Sequence, residues 1–162
     1  MKIIITEEQM DMAQSKMTEL VNKYGLDDVA KMMSIEPYEI LEKGLLETYQ
    51  YSILIWDKPI KSLGNLRHVD GKLYLEDTIV KSLGKLESVT GSLIVKYSPL
   101  ESLGELRTVG GDLRLLATDI EDFGKLEFVG GDLDIRATPL ARLQERKIRS
   151  MINVKGEIYK KL

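Results

Sequence analysis

Few residues in this chain have both the type and the spacing that chemistry requires. Cys is absent, which removes thiol nucleophiles, thiolate-bound zinc and disulfides. His68 is the one histidine, and the positions 20, 40 and 60 residues beyond it hold Ser88, Thr108 and Phe128. That speaks against a His-cluster metal site or a Ser-His-Asp triad. Asp112, Asp132 and Asp134 follow Gly-Gly pairs. Carboxylates so placed can coordinate calcium, but the nonapeptide spacing is missing, and Lys72 and Ser92 share the column of Asp112. Gly84-Lys85 lacks the spacing and the following Ser or Thr of a phosphate-binding loop. The expectation is a non-enzyme with no catalytic residue, no metal and no cofactor. What remains is binding chemistry: Trp56 and Tyr74 as large anchors, and a cluster of Arg and Lys near the C-terminus.

The elements that must position these residues are written as a repeat. Leu63, Leu83, Leu103, Phe123 and Leu143 are spaced by 20 residues. Gly64, Gly84, Gly104 and Gly124 follow them, then Leu66, Leu86, Leu106 and Leu126, then Val69, Val89, Val109 and Val129. Gly71, Gly91, Gly111 and Gly131 form another column, as do Leu73, Leu93, Leu113 and Leu133, and Thr78, Ser98, Thr118 and Thr138. No gap interrupts the register, so one structural unit recurs. Leu73-Tyr74-Leu75 and its equivalents alternate inward and outward as a strand does. The Gly two residues ahead of each strand permits positive φ or close backbone approach at a corner. The Leu-Gly-x-Leu stretch is too short for a helix and reads as a second extended or 3₁₀ segment. Stacked coils would lie ~4.8 Å apart, and each buried Leu or Val contributes about 1.5–3 kcal/mol. The Thr/Ser column is expected to satisfy corner backbone groups.

Ile53-Leu54-Ile55 adds a partial coil before the clear ones. Val154–Ile158 adds another after them, offset by 25 residues from Val129–Leu133, with the extra residues in a helix-like stretch. The predicted fold is α+β: a β-solenoid of about six coils, with strands near 53–56, 73–76, 93–96, 113–116, 133–136 and 157–160 and a short helix near 141–150. Residues 51–162 form the solenoid and residues 1–50 a helical cap. Units such as Leu100-Glu101-Ser102-Leu103-Gly104-Glu105-Leu106-Arg107-Thr108-Val109-Gly110-Gly111-Asp112-Leu113 resemble the short leucine-rich repeats of bacterial and tailed-phage proteins, and are similar to the repeats of receptor L domains. The resemblance covers about residues 52–162 and departs from standard leucine-rich repeats where Thr or Ser replaces the Asn ladder position. It implies a solenoid used mainly for protein binding, and a phage-encoded protein acting in the host cytoplasm on a host or phage protein.

The first 50 residues read as about three helices. Thr6-Glu7-Glu8-Gln9 fits a capping box, and Met10, Ala13, Met17, Leu20, Val21 and Tyr24 form one face. Gly25 is a natural stop, Asp27-Asp28 opens a second helix, and Glu36-Pro37 begins a third that Gly44 ends. Residues 24–38 resemble a helix-turn-helix core, which implies a DNA-associated regulator acting through residues 24–43 as the alternative function. Its reading helix offers Glu36, Glu39 and Glu42 against Lys43, and residues 1–50 carry five Lys and ten Asp/Glu, a net of −5. Phosphate repulsion disfavours a nucleic-acid partner.

The candidate binding face is the outward column of the early coils: Leu54, Trp56, Tyr74 and Ile94, continuing into Arg114 and Leu116. Either the N-terminal helices lie over it or it meets a protein partner or a second copy. The candidate basic end, Arg142, Arg146, Lys147 and Arg149, belongs to a final segment with a net charge of +5. The opposite charges of the two ends suit a head-to-tail contact or an acidic partner. No apolar run approaches the ~20 residues of a membrane span, and the N-terminus lacks a signal-peptide core, so a cytoplasmic protein is expected.

Overall fold

The computed structural model describes residues 7–161. Three helices come first: α1 (Glu7–Tyr24), α2 (Leu26–Met33) and α3 (Pro37–Glu42). Gly25, at φ +89°, turns the chain between α1 and α2, and Ser34 ends α2 in the left-handed region at φ 58°. At α3, Pro37 opens the first turn and the Glu36 N–H donates to Glu39 Oε2 at 2.8 Å, half of a capping box. Thr6 of the expected box at α1 lies outside the described residues. The helices bury Val21, Leu26, Val29, Ala30, Ile40 and Leu41 in the same core as the strands that follow. The apolar face expected for α1 is only partly used. Val21 is buried, whereas Ala13, Leu20 and Tyr24 are exposed. Gln14 takes an inward place because its Nε2 donates to the Gly44 carbonyl at 2.7 Å, satisfying both groups away from water.

From residue 48 onward the chain winds into a parallel β-solenoid of about four regular turns with irregular ends. One sheet holds β2 (Ile53–Trp56), β4 (Leu73–Glu76), β6 (Leu93–Lys96), β8 (Leu113–Arg114), β10 (Leu133–Asp134) and β12 (Ile158–Tyr159) in that spatial order. The other holds β1 (Thr48–Tyr49), β3 (His68–Val69), β5 (Ser88–Val89), β7 (Thr108–Val109), β9 (Phe128–Val129) and β11 (Asn153–Val154). Ile53 stands opposite Leu73, Leu73 opposite Leu93, Leu93 opposite Leu113 and Leu113 opposite Leu133, so the 20-residue period is one turn. The step from Leu133 to Ile158 takes 25 residues.

Several expectations shift in detail. The second extended segment is not Leu-Gly-x-Leu: of the two forms expected there, the extended one gives way to a single turn closed by i→i+3 hydrogen bonds of the 3₁₀ kind, such as Leu66 N–H to Leu63 C=O at 3.1 Å. It is the dipeptide ahead of each Gly corner, where Val69, Val89, Val109 and Val129 point inward. The strands expected at 113–116 and 133–136 stop after two residues, although rungs continue from Leu115 N–H to the Asp134 carbonyl at 2.7 Å and from Ala117 N–H to the Arg136 carbonyl at 3.1 Å. The helix expected near 141–150 divides into a 3₁₀ turn, Pro139–Arg142, and α4 (Glu145–Met151). Leu143 and Gln144 are extended between them, and the break lets both Leu140 and Ile148 reach the core.

The two Gly columns do different work. Gly64, Gly84, Gly104 and Gly124 are left-handed, at φ +52° to +60°. Gly71, Gly91, Gly111 and Gly131 are not. At Gly91 a Cβ would sit 2.6 Å from the Gly71 carbonyl oxygen, so the requirement there is close approach between coils. The remaining left-handed corner, just after the outer strands, is occupied by Asp57, Asp77, Tyr97, Ala117 and Ala137 at φ 50–55°. The Thr/Ser column behaves as expected: Thr118 Oγ1 donates to the Leu115 carbonyl at 3.0 Å, Thr138 Oγ1 to that of Ile135 at 2.7 Å, and Ser98 Oγ accepts the Thr78 N–H at 3.2 Å.

Candidate protein-interaction face

Outward positions of the β2–β12 sheet line up as two columns. One is Leu54, Tyr74, Ile94, Arg114, Asp134 and Tyr159; the other is Trp56, Glu76 and Lys96, continued past the strand ends by Leu116 and Arg136 through the rungs that follow. The helices pack on the end of the core and leave this face open: Leu54 is 56% exposed and Trp56 62%. Tyr74 and Leu116 are half-buried and Arg114 is exposed. Ile94 is 9% exposed, because Tyr74 and Arg114 flank it on the adjoining strands. Lys96 extends over the Tyr74 ring, with Nζ 5.9 Å from the centroid. The two most exposed apolar side chains of this face, Leu54 and Trp56, therefore lie at the cap end, with Tyr159 exposed at the other.

Further along, the face turns from apolar to charged. Arg114 Nη2 meets Asp112 Oδ2 at 2.8 Å. Asp134 is 5% exposed and receives Arg136 twice, Nε to Oδ1 at 2.9 Å and Nη2 to Oδ2 at 2.7 Å, with the Arg136 N–H a third donor at 3.1 Å. Burial alone would raise the Asp134 carboxyl, but these donors outweigh it and hold the group below its ordinary value. Asp112 is also lowered, first by the Asp132 N–H and then by Arg114. A main-chain role accounts for the acidic column: Ser52 Oγ accepts the Lys72 N–H, Ser92 Oγ that of Asp112, Asp112 Oδ1 that of Asp132 and Asp132 Oδ1 that of Glu157, all at 2.9–3.1 Å.

The other singled-out residues lie apart from this face. His68 is exposed on the opposite sheet, with Nδ1 2.9 Å from Ser88 Oγ. Arg142, Leu143, Gln144, Arg146, Lys147 and Ser150 line a shallow basic hollow beside α4. Arg149 is diverted from it: it pairs with Glu145 at 2.9 Å and donates to the Val154 and Gly156 carbonyls at 2.8 and 3.0 Å, clamping the last coil. In the helix-turn-helix-like segment, Glu36 pairs with Lys58 at 3.1 Å and Glu42 Oε1 accepts the Lys61 N–H at 2.6 Å.

Sequence reasoning missed Pro37 and Tyr38. They stand across a hollow of about 340 Å³ from Leu54 and Trp56, with Asp27, Glu36 and Lys58 on its rim. Nothing in the repeat pattern relates α3 to β2, so only an aromatic residue following Pro37 hinted at a surface role. None of the described helices is long and apolar enough to cross a membrane. Comparison with family models, curated proteins and solved structures finds no match to this chain.

Proposed function

We propose that the chain is a non-enzymatic protein-interaction module, a leucine-rich-repeat-type solenoid whose outer sheet face receives a protein partner. A phage-encoded protein working in the host cytoplasm on a host or phage protein fits the repeat resemblance. The reading is carried by one observation: Leu54 and Trp56 are largely exposed on a rigid sheet face that the helical cap leaves uncovered. Large apolar side chains held on a fixed lattice lose little entropy on docking, and Trp and Tyr are the residues that anchor interfaces.

The test is affinity capture from the native host, comparing the unaltered chain with the Trp56→Ala/Tyr74→Ala double variant. A partner retained by the first and lost by the second supports the proposal; a partner held equally by both overturns the face. An electrophoretic shift assay addresses the alternative, DNA association through residues 24–43. Tight, salt-dependent DNA binding would displace the protein-binding reading.

A further inference from the structure

We propose that the free edge of β2 is a strand-addition site for an extended, basic segment of a partner protein. This rests on the protein-binding reading above and names the kind of partner and the mode of docking.

The ladder shows which backbone groups are open. β2 is the end strand of its sheet. The Ile53 N–H donates to the Lys72 carbonyl at 2.7 Å and the Asp57 N–H to that of Glu76 at 3.1 Å, so residues 53, 55 and 57 face β4. In a parallel pair the intervening residues point their N–H and C=O the other way, which leaves those of Leu54 and Trp56 on the open edge. An unpaired edge is a template for another strand. The neighbouring sheet makes the contrast plain. Its end strand β1 meets the cap just past its last residue, where the Gln50 N–H donates to Asn22 Oδ1 of α1 at 3.0 Å. Among the described residues no such bond covers Leu54 or Trp56.

Space and charge select the occupant. The hollow beside β2 suits a single strand, because Leu26, Val29, Ala30, Ile40 and Leu41 of α2 and α3 occupy the end of the core, where a whole coil of a second copy would have to stack. Alternate residues of an added strand stand beside Leu54 and Trp56 and should be apolar, as cross-strand pairing rewards. The remaining positions meet a rim on which Glu36 and Lys58 are paired to each other, leaving the Asp27 carboxylate as the rim's net charge. The cap behind this rim belongs to the segment with a net charge of −5. Lys and Arg are therefore favoured at those positions.

Trp56 is the only tryptophan in the chain, so its emission reads this site directly. The probe is a short blocked peptide of alternating Val and Lys, titrated at low salt. Three matched peptides serve as controls: one replaces Lys with Glu, and two methylate alternate backbone amides, one in each register. The expected result is a saturable blue shift with the Lys peptide, several-fold weaker binding of the Glu peptide, and loss of binding when the amides facing β2 are methylated. Leu54→Lys should abolish the shift and Asp27→Asn should weaken it; both side chains are exposed, so the fold should be kept, as circular dichroism would verify. No shift with the Lys peptide, or equal binding of both methylated registers, overturns strand addition. A shift that follows protein concentration without peptide also overturns it, by identifying a second copy as the occupant. If peptides fail while capture still depends on Trp56 and Tyr74, the binding face stands without strand addition; if capture fails as well, the face itself is wrong.

Discussion

Two glycines one coil apart separate backbone strain from steric crowding. Gly84 and Gly104 both lie at φ +59°, so alanine at either is forced into the left-handed region, at roughly 1–2 kcal/mol. A Cβ on Gly84 would meet nothing within 4 Å, and strain is the whole expected loss there. A Cβ on Gly104 would lie 2.2 Å from the Gly84 carbonyl oxygen and 2.7 Å from its nitrogen. Ordinary contact is about 3.5–4.0 Å, so the coils must part. That same oxygen already accepts the Glu105 N–H at 2.9 Å and cannot retreat without weakening a rung. Overpacking adds about 1–3 kcal/mol and a strained rung up to about 1 kcal/mol. Gly104→Ala should therefore lose about 1–4 kcal/mol more than Gly84→Ala. At roughly 2–4 °C per kcal/mol for a domain of this size, the melting temperatures should separate by about 8 °C at mid-range. Urea unfolding followed by far-ultraviolet circular dichroism and Trp56 emission gives both values. Gly104→Asn serves as a control, since Asn tolerates the left-handed region but still carries a Cβ; it should recover the strain part of the loss and keep the crowding part. Equal losses for Gly84→Ala and Gly104→Ala would refute the close-approach reasoning.

Other perturbations follow from the same geometry. Asp112 and Asp134 are both lowered in the folded chain, so their stabilisation is present above the unfolded value near 3.9 and fades as pH falls through the folded values; urea midpoints below about pH 4 should flatten in Asp112→Asn and Asp134→Asn. Ala117→Gly and Ala137→Gly relieve left-handed strain at φ 54° and 55°, and each should gain up to about 1 kcal/mol after the added freedom of the unfolded chain; a lower melting temperature would contradict this. Gln14→Ala removes one of two donors to the Gly44 carbonyl, Asn65 Nδ2 remaining at 3.0 Å, which should lose about 0.5–1.5 kcal/mol and raise hydrogen exchange selectively in α1. At the C-terminal end, substitutions at exposed Arg142 or Lys147 should leave thermal stability unchanged while altering salt-dependent association, measured by light scattering.

The inner columns were legible because a gapless period of 20 residues puts every Leu, Val and Ile of a column on one line through the core. The second sheet was not, since a dipeptide with one inward residue carries no alternation to detect. The Gly columns could be seen but not told apart: positive φ at Gly84 and close approach at Gly91 both ask only for a missing side chain. The apolar face of α1 misled because Gln14 is polar yet buried, and its partner, Gly44, is remote in sequence. Ile94 has an outward position by period, but its column neighbours Tyr74 and Arg114 are long enough to cover it, which alternation alone does not register. The hollow joining Pro37 and Tyr38 to Leu54 and Trp56 arises only when the cap meets the first coil, and no spacing rule reaches across that distance.

The uniform step between coils makes the molecule extensible by copying. Residues 91–110 and 111–130 meet their neighbours through equivalent rungs, for example Gly111 N–H to the Gly91 carbonyl and Gly131 N–H to that of Gly111, both at 2.9 Å. A duplicated stretch of one period inserted there would find matching partners above and below, and would lengthen the body by about 4.8 Å. The termini do not share this freedom: three helices close one end, and α4 with its Arg149 clamp occupies the odd 25-residue step at the other. Growth by tandem duplication is thus confined to the interior, where it would move the acidic and basic ends apart without altering either.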